Sequence, residues 1–547
     1  MRLPEELLGR HSVRAALSDA LLESSNGTPS LVLLTGDGGS GKSTVLLDLK
    51  RAAHASGAVV LVSGWGLFDR DIPFRGLFPL CEQLVEWLST LPEVERQTRI
   101  ATLRASLADS CGVVTEAFPM LESVLGIHAR PPATSTIERQ NRLTYCFTTL
   151  LAALGTAGRP VVVLLEDLHW ADGASLFIVE RLPGQAGGCH LLTVATVRTG
   201  PDGADENFLS RLEQTSAERG QTVRKLFVSP FELGDTESFL AGALCMLPAA
   251  TTTLASVLTE MSLGNPLAVR ELLAEIQAQG LLAFERETGH WVWHTDTIRQ
   301  SHIPEDVAQL FASRISSLPA EALEALRAAA CVGGRFDSCT IAPLLAKPSS
   351  EIDGALATCA QAGFIVPRAP AAASQRGDQV FEFRHERIQK ATYTATPTAM
   401  QRRVHAARGA ALLAEHDTTH ASDTLFEALT HLNRDHALRE GKEDIALAKL
   451  NFLGALRAKE ATAYDTAAQL LQNVRAQLPI DGQSWDPNLA FDYALIRAEC
   501  EHLCKRTSIA AEIYADLLKR VSGPEQRITV LMARTQMLTN VGRFAET

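Results

Sequence analysis

The sequence predicts a multidomain fold in which an α/β domain with a parallel sheet comes first and mainly helical domains follow. The chain has 547 residues, enough for several domains. Over roughly the first 230 residues, short apolar segments alternate with stretches of helical periodicity, which is typical of a parallel sheet covered by helices. Most of the remaining chain has helical periodicity.

The first predicted domain covers residues 1–229. Its strands are predicted at five apolar segments: 31–35, 58–63, 160–165, 190–197 and 225–228. Helical periodicity between them is clearest at 77–88 and 139–154. Strands that alternate with helices in this way favour parallel pairing, because each crossover helix returns the chain to the same edge of the sheet.

Two smaller domains are predicted next. Residues 230–302 are mainly helical, with a β-hairpin at 280–294, and we expect them to form a helical lid. Residues 303–400 contain helices followed by two strand-like segments, 363–367 and 380–384. The connection at 368–378 is rich in Pro, Ala and Ser, as loops are. Helices followed by a hairpin favour a small winged-helix-like domain.

Residues 401–547 are predicted to be all-helical, with tetratricopeptide-like repeats. Small residues and aromatics form stripes of helical spacing, including Ala467 with Tyr464 and Ala510 with Tyr514. Ala467 and Ala510 are 43 residues apart, so the repeats are irregular. Residues 540–547 resemble a repeat's turn and the start of its second helix. We therefore expect the array to be truncated in this chain.

Composition excludes several classes of protein. Lys and Arg total 51 against 63 Asp and Glu, a net charge of −12, which argues against a chain that coats nucleic acid along its length. We find no membrane span, because no apolar run approaches the ~18 residues that a transmembrane helix needs. The ten cysteines include no CxxC pair, so neither a disulfide framework nor a cysteine metal site is predicted. We expect a cytoplasmic protein.

A glycine-rich segment at residues 36–43 matches GxxxxGK[ST]. It follows an apolar strand and precedes a helical run, so its backbone N–H groups can surround phosphate oxygens at a helix N-terminus. Lys42 is expected to reach the β and γ phosphates, Ser43 to bind Mg²⁺, and Thr44 to lie near the α phosphate. The predicted ATP- or ADP-binding residues here are Gly36, Asp37, Gly38, Gly39, Ser40, Gly41, Lys42, Ser43 and Thr44.

Two carboxylates follow the predicted strand at 160–165, namely Glu166 and Asp167. A buried strand that ends in acidic residues supplies the second half of a Mg²⁺–nucleotide site. One carboxylate would hold Mg²⁺ together with Ser43, and the other would orient the attacking water. The sequence leaves open which residue has which role.

Residues 168–172, Leu-His-Trp-Ala-Asp, resemble the segment that follows the acidic strand in the STAND class of P-loop ATPases, relatives of the AAA-type ATPases that act as signalling switches. The resemblance implies roles for four more residues. Arg10 resembles the entry motif beside the nucleotide, and Arg198 the arginine that senses the γ phosphate. Pro266 resembles the lid proline that packs on adenine, and His385 the winged-helix histidine that contacts the ADP β phosphate.

Each of these four residues also has a purely structural alternative. Arg198 could be a surface arginine after a strand, and Arg10 could pair with a surface carboxylate. Pro266 could simply occupy the first position of a helix. His385 could support a strand-to-helix turn.

The resemblance is strongest to the ATPase region of large multidomain sensor proteins, including hybrid histidine kinases and Ser/Thr kinase fusions. It implies a slowly hydrolysing, Mg²⁺-dependent ATPase whose ATP or ADP state is coupled to a protein partner through the helical repeats, or to a sensor or histidine-kinase output domain beyond Thr547. The alternative is an ATP-dependent transcriptional regulator whose DNA-binding domain lies outside this chain. The basic residues that favour DNA binding are Arg384, Arg387, Lys390, Arg402 and Arg403.

Overall fold

A computed structural model describes most of the chain. The described residues are 7–128, 136–182, 188–199, 206–218, 223–287, 289–301, 307–368, 379–419, 422–439, 443–478 and 487–540. Within these ranges the chain forms ten strands in three sheets and twenty-five α-helices.

The first sheet is parallel throughout and has five strands in the order β2-β3-β4-β1-β5. Its strands are β1 Ser30–Gly36, β2 Val59–Gly64, β3 Val161–Glu166, β4 Leu191–Arg198 and β5 Val223–Phe227. Strand β4 separates β1 from β3, and Gly36 lies opposite Arg198 in the register. Because all five strands run the same way, the residues that follow β1, β3 and β4 meet at one edge.

Helices and two apolar cores cover both faces of this sheet. Along β1, Leu31 and Leu33 belong to one core, while Val32 and Leu34 belong to the other, as the period of two in a strand requires. The helices are α1 His11–Ser25, α2 Lys42–Ala55, α3 Phe78–Thr90, α4 Glu93–Leu107, α5 Cys111–Ala117, α6 Glu122–Leu125, α7 Thr136–Leu154, α8 Gly173–Val179 and α9 Glu206–Ala217. The predicted fold class, a parallel α/β domain followed by mainly helical regions, is confirmed.

The region after β5 has an apolar core of its own. Its elements are α10 Leu233–Leu244, α11 Pro248–Ser262, α12 Pro266–Ala278, the hairpin β6 Leu282–Glu285 with β7 His290–Trp293, and α13 Thr295–Gln300. Over the described residues, no single helix has both the length and the apolar character to span a bilayer; α10 and α11, bent by 116° at their junction, reach that length and hydropathy only as a pair.

The next region contains a three-stranded antiparallel sheet, ordered β8-β10-β9. Its elements are α14 Val307–Ser316, α15 Ala320–Val332, β8 Arg335–Asp337, α16 Ser338–Leu345, α17 Ser349–Gln361, β9 Ile365–Arg368, β10 Val380–Phe383 and α18 Glu386–Thr394. The two predicted strands are present, and β8 is an addition whose three residues are too few to show a periodic pattern. Most of the predicted loop, 369–378, lies outside the described residues.

The remaining helices are α19 Thr398–Thr419, α20 Ser422–Ala437, α21 Ile445–Glu460, α22 Tyr464–Ala476, α23 Pro487–Leu503, α24 Thr507–Arg520 and α25 Pro524–Asn540. Consecutive helices pack in pairs, α19 with α20, α21 with α22, and α23 with α24. Ala467 and Ala510 are fully buried, as the stripes predict. The winged-helix and repeat interpretations and the four domain limits stay predictions, and the expected final turn at 541–547 lies outside the described residues.

Helices after α19 pack against the first domain. Leu429 of α20 and Leu471 of α22 belong to the same buried cluster as Leu33 of the parallel sheet. The Tyr464 hydroxyl donates a hydrogen bond to the carbonyl of Thr136, at 2.7 Å. The sequence did not predict this contact between the C-terminal helices and the first domain.

Candidate functional site

The glycine-rich loop runs from the end of β1 at Gly36 to the start of α2 at Lys42. Gly39 and Gly41 have φ angles of 86° and 96°, which side-chain-bearing residues rarely adopt. A Cβ at Gly39 would also lie 2.7 Å from Leu267 Cβ. The glycines therefore allow both the curl of the loop and the close approach of the first turn of α12.

Lys42 is the buried cation of this loop, with 7% of the residue exposed. Its ammonium donates to the carbonyls of Gly36 and Asp37, at 2.7 and 2.8 Å. Burial lowers the pKa of Lys42 to about 8. The side chain therefore folds back across the loop and brings a positive charge to the N-terminus of α2, where the helix dipole adds positive potential.

The two carboxylates lie across the cleft from this helix. The Ser43 hydroxyl donates to Glu166 Oε2 at 2.8 Å, so the two halves of the predicted site are in direct contact. Burial raises the pKa of Glu166, and burial with the nearby Glu386 carboxylate raises the pKa of Asp167 to about 7. A hydroxyl and two carboxylates are the oxygen ligands that Mg²⁺ prefers, so these residues fit that ion.

Asp167 has a left-handed backbone with φ of 54°, and its N–H donates to Thr196 Oγ1 of β4 at 2.8 Å. This turn leads into a 3-10 segment, Leu168–Trp170. Burial, with Arg198 as the next cause, lowers the pKa of His169 to about 3. The turn thus places the Asp167 carboxyl group, the neutral His169 imidazole and the Trp170 indole close together.

Arg198, at the end of β4, is 5% exposed, so it is not a surface arginine. It donates to Glu386 Oε2 at 2.5 Å. Trp170 donates its indole N–H to the other oxygen of the same carboxylate, at 3.0 Å. Glu386 was not among the predicted site residues; its position directly after His385 was the available signal.

Arg10 and the segment before α12 hold the glycine-rich loop from outside. Arg10 donates to the carbonyls of Ser40 and Pro230, both at 3.2 Å, and it is 9% exposed. The Asn265 amide donates to the Gly38 carbonyl at 2.9 Å. Pro266 is the first residue of α12, which agrees with the purely structural interpretation of this proline. It also lines the cleft.

His385 caps α18, because its Nδ1 accepts a hydrogen bond from the backbone N–H of Arg387 at 3.1 Å. Burial, and then Arg198, lower the pKa of His385 to about 3, so the ring is neutral. The Arg387 side chain lies over the loop, since a Cβ at Gly38 would be 2.8 Å from its Nε. His385 therefore supports the strand-to-helix turn, as the structural interpretation of this histidine predicts, and it also lines the cleft.

One cavity of about 370 Å³ unites most of the predicted site, a size typical of small-molecule pockets. Predicted residues that line it are Arg10, Gly38, Gly39, Ser40, Gly41, Lys42, Ser43, Thr44, Glu166, Asp167, Arg198, Pro266 and His385. Gly36 does not line it, and Asp37 lines a neighbouring cavity of about 230 Å³. Other lining residues that the sequence did not single out include Phe231, Phe239 and Arg270.

Comparison with known proteins agrees with this geometry. Residues 6–194 match a family described as an AAA ATPase domain. A curated relative, hybrid signal transduction histidine kinase G of Dictyostelium discoideum, is 19% identical over 402 residues. That match covers 61% of this chain and 11% of the relative, so the chain spans about a tenth of the relative's length.

Two solved structures are similar at a low level. A STAND protein with a tetratricopeptide repeat sensor from Pyrococcus horikoshii has a TM-score of 0.42 and 11% identity, covering 98% of this chain and 68% of that one. The Orc1 protein of Aeropyrum pernix, solved in complex with DNA, has a TM-score of 0.32 and 15% identity, covering 72% of this chain and 94% of that one. The family match agrees with the predicted resemblance of the nucleotide-binding part to AAA-related P-loop ATPases.

Proposed function

We propose that this chain, whose residues 6–194 match an AAA ATPase domain, binds ATP and ADP with Mg²⁺, hydrolyses ATP slowly, and uses the two nucleotide states as a signalling switch. One observation carries the proposal. Arg198, at the position that would sense the γ phosphate, pairs with Glu386 of α18, which lies 188 residues further along the chain. The Arg198 guanidinium would thus contact both the nucleotide and the first residue of α18.

The switch follows from competition for Arg198. The γ phosphate of ATP supplies a second anion at the edge of the sheet, while ADP supplies none there. Arg198 is buried and needs an anionic partner, which Glu386 provides in this conformation. We expect the ATP form to release α18 and the ADP form to keep it, since a ligand shifts an equilibrium by its difference in affinity for the two states.

Lys42, Ser43 and the carboxylates would divide the remaining tasks. Lys42 would neutralise the phosphate tail, as its buried ammonium is already directed into the loop. Glu166 would hold Mg²⁺ with Ser43, because those two residues are hydrogen-bonded. Asp167, which the turn directs toward Glu386 and His169, would orient the attacking water.

A packed path leads from this cleft to the C-terminal helices. After Asp167 the chain forms the 3-10 segment and then α8, which begins at Gly173. A Cβ at Gly173 would lie 2.2 Å from Asp465 Oδ2, at the start of α22. A movement of the acidic turn would therefore press on the helices that we propose as the surface for a protein partner or effector.

The alternative, a transcriptional regulator that binds DNA elsewhere in a longer protein, has less support from the basic residues in this chain. Arg387 lies against the glycine-rich loop. Arg402 pairs with Asp435 at 3.4 Å, and Arg403 with Glu324 at 3.7 Å. Cations engaged with carboxylates contribute little to a phosphate-binding surface.

Hydrogen exchange tests the switch. Backbone amides of α18 should exchange more slowly with ADP bound than with a non-hydrolysable ATP analogue, because ADP leaves Arg198 paired with Glu386. In Lys42→Ala the two nucleotides should give the same exchange, which ties the difference to this site. Equal protection of α18 with both nucleotides in the unmodified protein would refute the proposal.

A further inference from the structure

A histidine beside the candidate Mg²⁺ ligands has no evident role in nucleotide binding. The His169 side chain is 4% exposed, and neither ring nitrogen has a hydrogen-bond partner among the described residues. Buried polar atoms are nearly always satisfied, because an unpaired one loses its hydration without compensation. Both nitrogens therefore have lone-pair or N–H capacity that the protein fold leaves unused.

Two carboxylates face this imidazole from different parts of the chain. Ligand atoms of Asp167, His169 and Glu386 all lie within 4.8 Å of one another, and His169 Nδ1 is 3.9 Å from Asp167 Oδ1. For three atoms within 4.8 Å of one another, some point lies within about 2.8 Å of all three. Small side-chain rotations would shorten these distances to the roughly 2.0–2.2 Å of zinc–nitrogen and zinc–oxygen bonds.

We propose that, in the nucleotide-free protein, Asp167, His169 and Glu386 form a Zn²⁺ site. Asp167 is shared with the nucleotide site, whereas Ser43 and Glu166 are not part of the zinc site. One imidazole and two carboxylates suit zinc, with the fourth position left to water, whereas Mg²⁺ prefers oxygen ligands alone. Glu386 can ligate and still accept from Arg198 and Trp170, because each carboxylate oxygen has two lone-pair directions.

The site connects two elements that are distant in sequence. Asp167 and His169 follow strand β3, while Glu386 begins helix α18. A bound ion would hold these elements together, in parallel with the Arg198–Glu386 pair. Metal binding itself does not depend on the proposed switch, so a test of binding stands apart from a test of the switch.

The experiment is a calorimetric titration of the full chain with Zn²⁺, without nucleotide and with excess Mg²⁺ to occupy oxygen-only sites. We expect one tight equivalent in the unmodified protein and a loss of affinity of more than about tenfold in His169→Gln. His54→Gln is the matched control, because His54 is an exposed histidine on α2 and should leave the affinity unchanged. Glu386→Gln should weaken binding in the same direction.

Equal Zn²⁺ affinity in the unmodified protein and His169→Gln would overturn the proposal, as would the absence of tight binding. Far-UV circular dichroism and MgATP binding report whether His169→Gln folds. Should it not fold, Co²⁺ replaces Zn²⁺ as a spectroscopic probe in the unmodified protein. Intense visible bands of four-coordinate Co²⁺ at one equivalent support the site, and a weak six-coordinate spectrum contradicts it.

Discussion

Arg198 and Glu386 form a buried ion pair, with an Nη2 to Oε2 distance of 2.5 Å, that joins the end of strand β4 to the first residue of helix α18. Their side chains are 5% and 12% exposed. Removal of one partner from such a pair leaves the other charge buried without compensation, which is costly. In the proposed switch, the position of α18 would therefore depend on which anion Arg198 contacts.

Glu386→Gln should speed ADP release. The amide has one acceptor oxygen in place of the two that receive Arg198 and Trp170, and it removes the negative charge. We therefore expect an increase of at least about tenfold in the ADP dissociation rate, as a loss of about 1.4 kcal/mol gives. The measurement is stopped-flow displacement of a fluorescent ADP. Glu324→Gln, which affects an ion pair with Lys347 away from the cleft, serves as the control, and equal rates in both variants would exclude the proposed role of Glu386.

Asp167→Asn should slow ATP hydrolysis more than it weakens MgATP binding, because Asn cannot accept a proton from the attacking water. Glu166→Gln should instead weaken Mg²⁺-dependent binding, since Glu166 is the carboxylate hydrogen-bonded to Ser43. We expect single-turnover hydrolysis to fall by about a hundredfold in Asp167→Asn. The reverse pattern in the two variants would exchange their roles.

Two substitutions at His385 separate its helix-capping role from contact with nucleotide. Asn is a favoured N-cap residue and can accept from the Arg387 N–H as His385 does, whereas Ala cannot. His385→Ala should lower the thermal midpoint and also speed ADP release, while His385→Asn should mainly speed ADP release. An unchanged ADP dissociation rate in His385→Asn would leave His385 with the structural role alone.

Acid should destabilise the protein through a buried histidine pair. His405 and His431 are 0% and 2% exposed, with their Nδ1 atoms 2.9 Å apart. Burial and then Arg434 lower the pKa of His405 to about 4, against the opposing effect of Asp435. Because this pKa lies below that of the unfolded chain, about 6.5, the unfolded state takes up a proton first as pH falls, and at pH about 5 the loss is roughly 2 kcal/mol.

Urea denaturation at pH about 7 and about 5 measures this effect. The unmodified protein should show a lower midpoint at the acid pH. His405→Asn should be less stable at neutral pH and should show a smaller dependence on pH. A midpoint that is equally pH-dependent in both proteins would assign the effect to other groups.

The sequence predicted those features that depend on local patterns. Strands β1 and β3 contain continuous apolar runs, and β4 is buried along its whole length, because both faces of a parallel sheet are covered. The bounds of all three strands agree with prediction within one or two residues. The proximity of Ser43 to Glu166 follows from the shared carboxyl edge of the strands. The glycine-rich loop is predicted from residue types that a phosphate-binding turn requires.

Contacts between distant segments could not be predicted in this way. The Arg198–Glu386 pair and the contact of Tyr464 with Thr136 depend on how separately patterned regions pack together, and no local period encodes that packing. The cluster of Asp167, His169 and Glu386 could not be predicted either, because it forms only when Glu386 packs against the turn after β3.

The most direct test of the account is the equilibrium titration of MgATP against the unmodified protein and Lys42→Ala. Lys42 places its buried ammonium in the glycine-rich loop, and loss of charge-assisted contacts to phosphate should weaken binding by at least about a hundredfold. Lys50→Ala, on the same helix but outside the cavity lining, should bind as the unmodified protein does. Equal MgATP affinity in Lys42→Ala and Lys50→Ala would contradict the assignment of the nucleotide site.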